Sequence, residues 1–162
     1  MPDQNNHSEL LADMRQLCAQ FRTVLMATST TEGLPEISYS PYVIVDKVLY
    51  VFLSDLSLHT GNLKSNPHAS LLFIEDESTS ENLHARRRVT YRAEVTLVER
   101  GDPDWNNVLS QMEERFGEII PILKSLTDFH LFAMRTNDAV LVRGFADAHP
   151  VACDGFNFKS RC

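Results

Sequence analysis

The first apolar positions recur at helical spacing: Leu10, Leu11, Met14, Leu17, Cys18 and Phe21 form one stripe, with Ser8 placed to cap it. From residue 23 the period shortens to that of strands. Residues 23–28 and 35–44 read as a hairpin around a turn at 29–33, where Gly33 accommodates a positive φ. Pro41 cannot donate to a ladder, so an edge position or a bulge is expected there. A third strand, 48–53, would complete an antiparallel meander.

A short helix around residues 58–64 ends at Asn66-Pro67, because the residue before proline disfavours helical torsions. Residues 69–74 form a buried strand, and the acidic run 75–81 reads as a solvated loop. The longest strand spans 86–98. Its alternation puts Val89, Tyr91, Ala93, Val95 and Leu97 on one face, with Arg88, Thr90, Arg92, Glu94 and Thr96 on the other. Asp102 and Pro103 then open a helix whose stripe, Trp105, Val108, Leu109, Met112 and Phe116, stops at Gly117. A second short helix at 119–126 and strands at 129–135 and 139–142 follow. Six or seven strands joined mostly by short turns, without βαβ alternation, predict a mainly β (α+β) chain: an antiparallel barrel with peripheral helices.

Composition narrows the function. The chain has 162 residues, 43% apolar and 23% charged, and reads as one domain over 1–162, with an N-terminal helix within 1–21 and an irregular tail at 149–162. Its net charge of −7 argues against general affinity for nucleic acid or anionic membrane, so any anion site must be local. Cys18, Cys153 and Cys162 are odd in number and lack CxxC spacing, which fits a reducing compartment. With no secretory leader and no apolar run of about 18 residues, a cytoplasmic protein is expected.

The chemistry concentrates at residues 86–92, where strand alternation would project Arg86, Arg88 and Arg92 from one face of an acidic protein. Guanidinium groups bind phosphate or carboxylate bidentately, so a flavin phosphate or haem propionates would suit them; pairing with Glu94 or the acidic loop is the plainer outcome. The six histidines show no i, i+4 pair, which argues against a protein-made zinc site. His59 lies on a short helix before Gly61, where backbone can approach a ligand, and Asp128 could accept a hydrogen bond from a water or an imidazole. His130 reads as a structural histidine.

Several segments in order then resemble one family, the haem-utilisation branch of the FMN-binding split-barrel proteins related to pyridoxamine-phosphate oxidase. They are residues 33–42, 57–63 with Asn66-Pro67, 74–77, 85–88, 112–120, Asp128-Phe129 and 142–145. The resemblance implies a split-barrel homodimer with ligand pockets between subunits, and haem that is bound and, in some members, degraded by a haem oxygenase activity. It places His59 and Arg88 at the haem pocket. It also matches Asp128 to an acid that tunes the iron ligand through a hydrogen bond. Relatives carry an iron-ligating histidine in a C-terminal segment, whereas residues 151–162 here hold none, so weak or altered haem binding is expected. Alternatives are an FMN-dependent oxidoreductase, with Lys64 and Arg86 as phosphate ligands, and a non-catalytic haem carrier.

Overall fold

The structure is a computed structural model that describes residues 4–158. Its elements run α1 (Gln4–Cys18), β1 (Thr23–Ser29), β2 (Pro35–Pro41), β3 (Val43–Val45), β4 (Val48–Ser54), α2 (Leu58–Ser65) and β5 (His68–Ile74). After these come β6 (Arg88–Val98), α3 (Pro103–Phe116), α4 (Ile119–Ser125), β7 (Phe129–Arg135), β8 (Asp138–Gly144) and β9 (Asp147–Ala152). Every strand pair is antiparallel.

The strand order is β2-β1-β5-β6-β7-β4-β3, with β8 also on β6 and β9 on β8. The two ends of that order, β2 and β3, are separated in the chain by Tyr42 alone. One residue cannot span a flat seven-strand sheet at about 4.8 Å per strand, so the sheet must curl until its ends meet. Tyr42 is fully buried at that closure and donates its hydroxyl to Phe21 O at 2.9 Å. The expected meander is corrected here: β4 pairs with β3 and β7 and forms no ladder with β2. Pro41 ends the β2 ladder, so the chain leaves that edge and restarts on another.

The barrel is split at β6. One edge of β6 carries β5; the other pairs β8 over Arg88–Tyr91 and β7 over Glu94–Val98. Thr136 donates its hydroxyl to Arg92 O at 2.7 Å in the gap between those ladders.

Two apolar clusters lie on opposite faces of the sheet. Leu49, Val51 and Leu53 of β4 point into the barrel with Phe73, Tyr91 and α1, while Tyr50 and Phe52 meet α3. That explains the unbroken apolar run of β4, since both its faces are covered. It also explains why the polar face of β6 ends at Val98, which packs in the α3 cluster, whereas Leu97 at the strand end is 38% exposed.

Other differences have local causes. α1 begins ahead of Ser8, and α4 contains Pro121 in its first turn, where an N–H has no helical partner to lose. The stretch read as an irregular tail from 149 instead contains most of β9, an edge strand that tolerates Pro150. Beyond it Phe156 and Phe158 turn inward, Phe156 lying 4.8 Å from the Tyr91 ring and Phe158 5.5 Å from the Phe73 ring. Gly155 allows this turn: its φ is +73°, and a Cβ there would stand 2.5 Å from Lys47 O. Cys162 lies outside the described residues. No helix among them is long and apolar enough to cross a membrane.

Candidate functional site

The short helix α2 organises the first group of polar residues. Its N-terminus is fixed by Thr60, whose hydroxyl donates to Ser54 O at 2.6 Å; its end is fixed by Asn66, which donates from its side chain to Ser29 Oγ at 2.8 Å. The buried face of α2 carries His59, Thr60, Asn62 and Leu63. Asn62 donates to Thr28 Oγ1 at 3.1 Å and lies 3.4 Å from Glu36 Oε2, while His59 Nδ1 meets Ser38 Oγ at 2.8 Å. A half-polar helix thereby docks on β1 and β2 with its buried groups paired.

Burial holds the His59 pKa below the ordinary 6.5, with the charge of Glu36 opposing the shift only in part. His59 is therefore neutral at neutral pH. The unfolded chain takes up this proton near pH 6.5 and the folded chain only at lower pH, so stability is lost as pH falls from 6.5 toward the depressed value. Melting temperatures between pH 7 and 5 should drop less steeply in His59→Gln than in the wild type; parallel curves would contradict this assignment.

Asp128 joins the same end of the molecule. Ser54 Oγ donates to Asp128 Oδ2 at 2.8 Å, and Asp55 N donates to Asp128 O at 2.8 Å, which ties the start of β7 to the end of β4. Next to them Asp55 binds Lys64 Nζ at 2.5 Å and His130 Nε2 at 2.8 Å, with Lys64 and His130 3.1 Å apart. The Lys64 hydrogen bond, then that of His130, holds the Asp55 carboxyl below its usual range. So His59, Lys64 and Asp128 all lie around α2, each with its own partner: Ser38, Asp55 and Ser54. Ser38, Ser54 and Asp55 were not foreseen, and no sequence signal marks them: Asp55 and His130 are 75 residues apart.

Arg86 and Arg88 lie elsewhere. Arg86 is outside β6, at the end of a short 3-10 turn, Leu83–Ala85, so strand alternation does not aim it; its guanidinium donates to Glu75 O at 3.0 and 2.5 Å and to Glu77 at 3.3 Å. Arg87 binds the Glu75 carboxylate at 2.8 Å through both its backbone N–H and its Nε. Glu75 is buried by these contacts, which corrects the reading of the whole acidic run as solvated. Arg88 starts β6, half-buried, with one donation to Arg86 O at 3.1 Å. It pairs in register with Ile74, the last residue of β5, whereas α2 leads into the first, His68. Ser38, which holds His59, is in register with Met26, Leu71 and Tyr91 on the inward face of the sheet, so His59 and Arg88 lie three strands apart within one chain and on opposite faces.

At the His68 end of β5 the outer face holds an open cavity of about 660 Å³, touched by none of the five expected site residues. Small residues Ala27 and Ser70 leave room there beside Arg92, Glu94, Arg135 and Asp138. Arg92, expected on the cationic face, pairs with Asp138 at 3.3 Å.

Comparison with known proteins fits this layout. The family model for pyridoxamine 5'-phosphate oxidase matches residues 10–143. The curated haem oxygenase HutZ of Vibrio cholerae is 37% identical over 142 residues, 88% of this chain and 81% of the relative. A crystal structure described as HutZ, a haem storage protein of Vibrio cholerae, superposes with a TM-score of 0.72 at 33% identity, covering 91% of this chain and 99% of that one. Campylobacter jejuni ChuZ gives 0.80 at 28% identity over 90% of this chain and 60% of its own. With the curled, split sheet, the strand order and the ordered motifs now matched by a family model over most of its length, this chain belongs to the pyridoxamine 5'-phosphate oxidase family of split-barrel proteins.

Proposed function

We propose that this chain is a cytoplasmic haem-utilisation protein, in which two copies enclose haem and break it down with dioxygen and an external reductant. The observation that carries this reading is the division of the expected site residues into two groups, with a largely apolar, partly exposed row crossing the outer face of the sheet beside them. Tyr39, Leu25, Leu72, Thr90 and Val140 stand opposite one another across β2, β1, β5, β6 and β8, so they share one face. Tyr39 is 64% exposed, Leu25 36% and Val140 37%. A row of this kind fits a second copy, and a two-fold axis through it lays the arginine end of one copy over the α2 end of the other.

The residues present fit haem better than flavin. Arg88 keeps guanidinium donors free for a carboxylate, whereas Lys64 and Arg86, which a flavin phosphate would need, already hold Asp55, His130, Glu75 and Glu77. Bound haem would supply the iron at which dioxygen is activated and is itself consumed. Arg88 would hold a propionate. Asp128, with Oδ2 fixed by Ser54, keeps Oδ1 to accept a hydrogen bond from an imidazole or a water, and His59 remains a neutral imidazole oriented by Ser38. Relatives are described both as oxygenase and as storage protein, so a carrier without turnover is the second reading.

Titrating purified protein with haemin should produce a Soret band that decays when ascorbate and air are supplied. A stable band would favour the carrier, and no band would refute haem binding. Arg88→Ala should weaken haemin by about 1.5–3 kcal/mol, roughly 10- to 150-fold, through loss of one charge-assisted contact.

A further inference from the structure

The β8–β9 turn presents the most exposed aromatic side chain of the described residues: Phe145 is 80% exposed. The backbone beneath it is closely determined. The β8–β9 register shifts between Val142 and Gly144, and Ala146 takes a φ of 57°, a left-handed conformation that disfavours a residue with a Cβ. Arg143 locks the turn, donating to Asp147 Oδ2 at 2.9 Å and reaching Glu9 and Asp13 of α1 at 3.3 Å, and His149 adds a contact to Asp147. Such ordering does nothing to bury Phe145. It displays the ring at a fixed place.

That place is the arginine end of the sheet. Val142 pairs in register with Arg88, so the backbone at Phe145 lies within roughly 12 Å of that of Arg88. The turn that carries Leu83, 64% exposed, packs on β8 at the same end. An aromatic ring, an aliphatic side chain and a guanidinium with free donors match a planar apolar molecule with an anionic edge.

We propose that Phe145 forms an aromatic wall against the ring of a tetrapyrrole dicarboxylate whose acidic edge is held by Arg88. This rests on the haem reading above and adds a residue that recognises the porphyrin rather than its iron. The Arg143 clasp positions that residue ahead of binding, which lowers the ordering cost at the moment of contact.

The test is titration of full-length wild type, Phe145→Ala and Phe145→Tyr with haemin and, separately, with iron-free protoporphyrin IX, with melting temperature and solution mass recorded for each. Phe145→Ala should bind both porphyrins about tenfold or more weakly, at unchanged melting temperature and mass, and Phe145→Tyr should restore affinity. Equal affinity of wild type and Phe145→Ala would overturn the assignment while leaving haem binding intact. Loss for haemin alone would also overturn it, as would a fall in mass, which would make Phe145 a subunit contact. Wild type that binds neither porphyrin would overturn the haem reading and this inference together.

Discussion

Trp105→Ala will destabilise the fold by about 3–5 kcal/mol, the cost of emptying a buried aromatic site that cannot collapse. Trp105 is 4% exposed on the apolar stripe of α3, and its ring meets Phe52 edge-on at 5.7 Å and 80°. It also supports Arg100, whose guanidinium lies 4.9 Å over the indole while donating to Lys124 O, Leu126 O and Phe129 O. Removing the ring therefore opens a cavity between α3 and β4 and frees the cation that ties the end of α4 to the start of β7. For a domain of this size the loss corresponds to a fall in melting temperature of roughly 6–20 °C. Trp105→Phe, which keeps an aromatic edge against Phe52, should lose less than half as much. A calorimetric transition that moves by under about 3 °C in Trp105→Ala would mean that the α3 layer contributes little to the cooperative core.

The same helix shows what could be read from sequence. Its start and stop are local: Asp102 accepts from Asp104 N at 3.0 Å, Pro103 occupies the first turn and Gly117 has a φ of 82° beyond the end. The β1–β2 hairpin is equally local, since alternation and the Gly33 turn specify it together. What was missed is non-local. Nothing near Pro41 indicates that the chain will leave one edge of the sheet for the other, because barrel closure is a property of the whole strand order. Phe156 and Phe158 lack a period, and only the space beside Tyr91 and Phe73 explains their burial.

For the site, helix α2 and the chemistry of its neighbours were legible, but their partners were not. The Ser54–Asp128 and Ser38–His59 contacts join residues 74 and 21 positions apart. Arg86 illustrates the opposite error: a period of two was extended past the point where the strand begins, and a side chain read as facing a ligand instead fastens the 75–77 loop.

Charge placed in the exposed row should separate two copies and abolish haem binding in one step. Leu25→Glu and Val140→Glu each set a carboxylate where the proposed interface would exclude water, and an isologous contact counts every substitution twice. An unpaired buried charge costs several kcal/mol, enough to dissociate an interface of ordinary size. Both positions are already at least 36% exposed in one chain, so the fold itself should survive, with an unchanged melting transition at low concentration. Wild type should sediment at twice 18.4 kDa and the variants at that mass. Haemin affinity should fall well below that of Arg88→Ala alone, because a lone chain holds Arg88 and His59 three strands apart on opposite faces of the sheet. A monomeric variant that binds haemin as tightly as wild type would place the entire site within one chain.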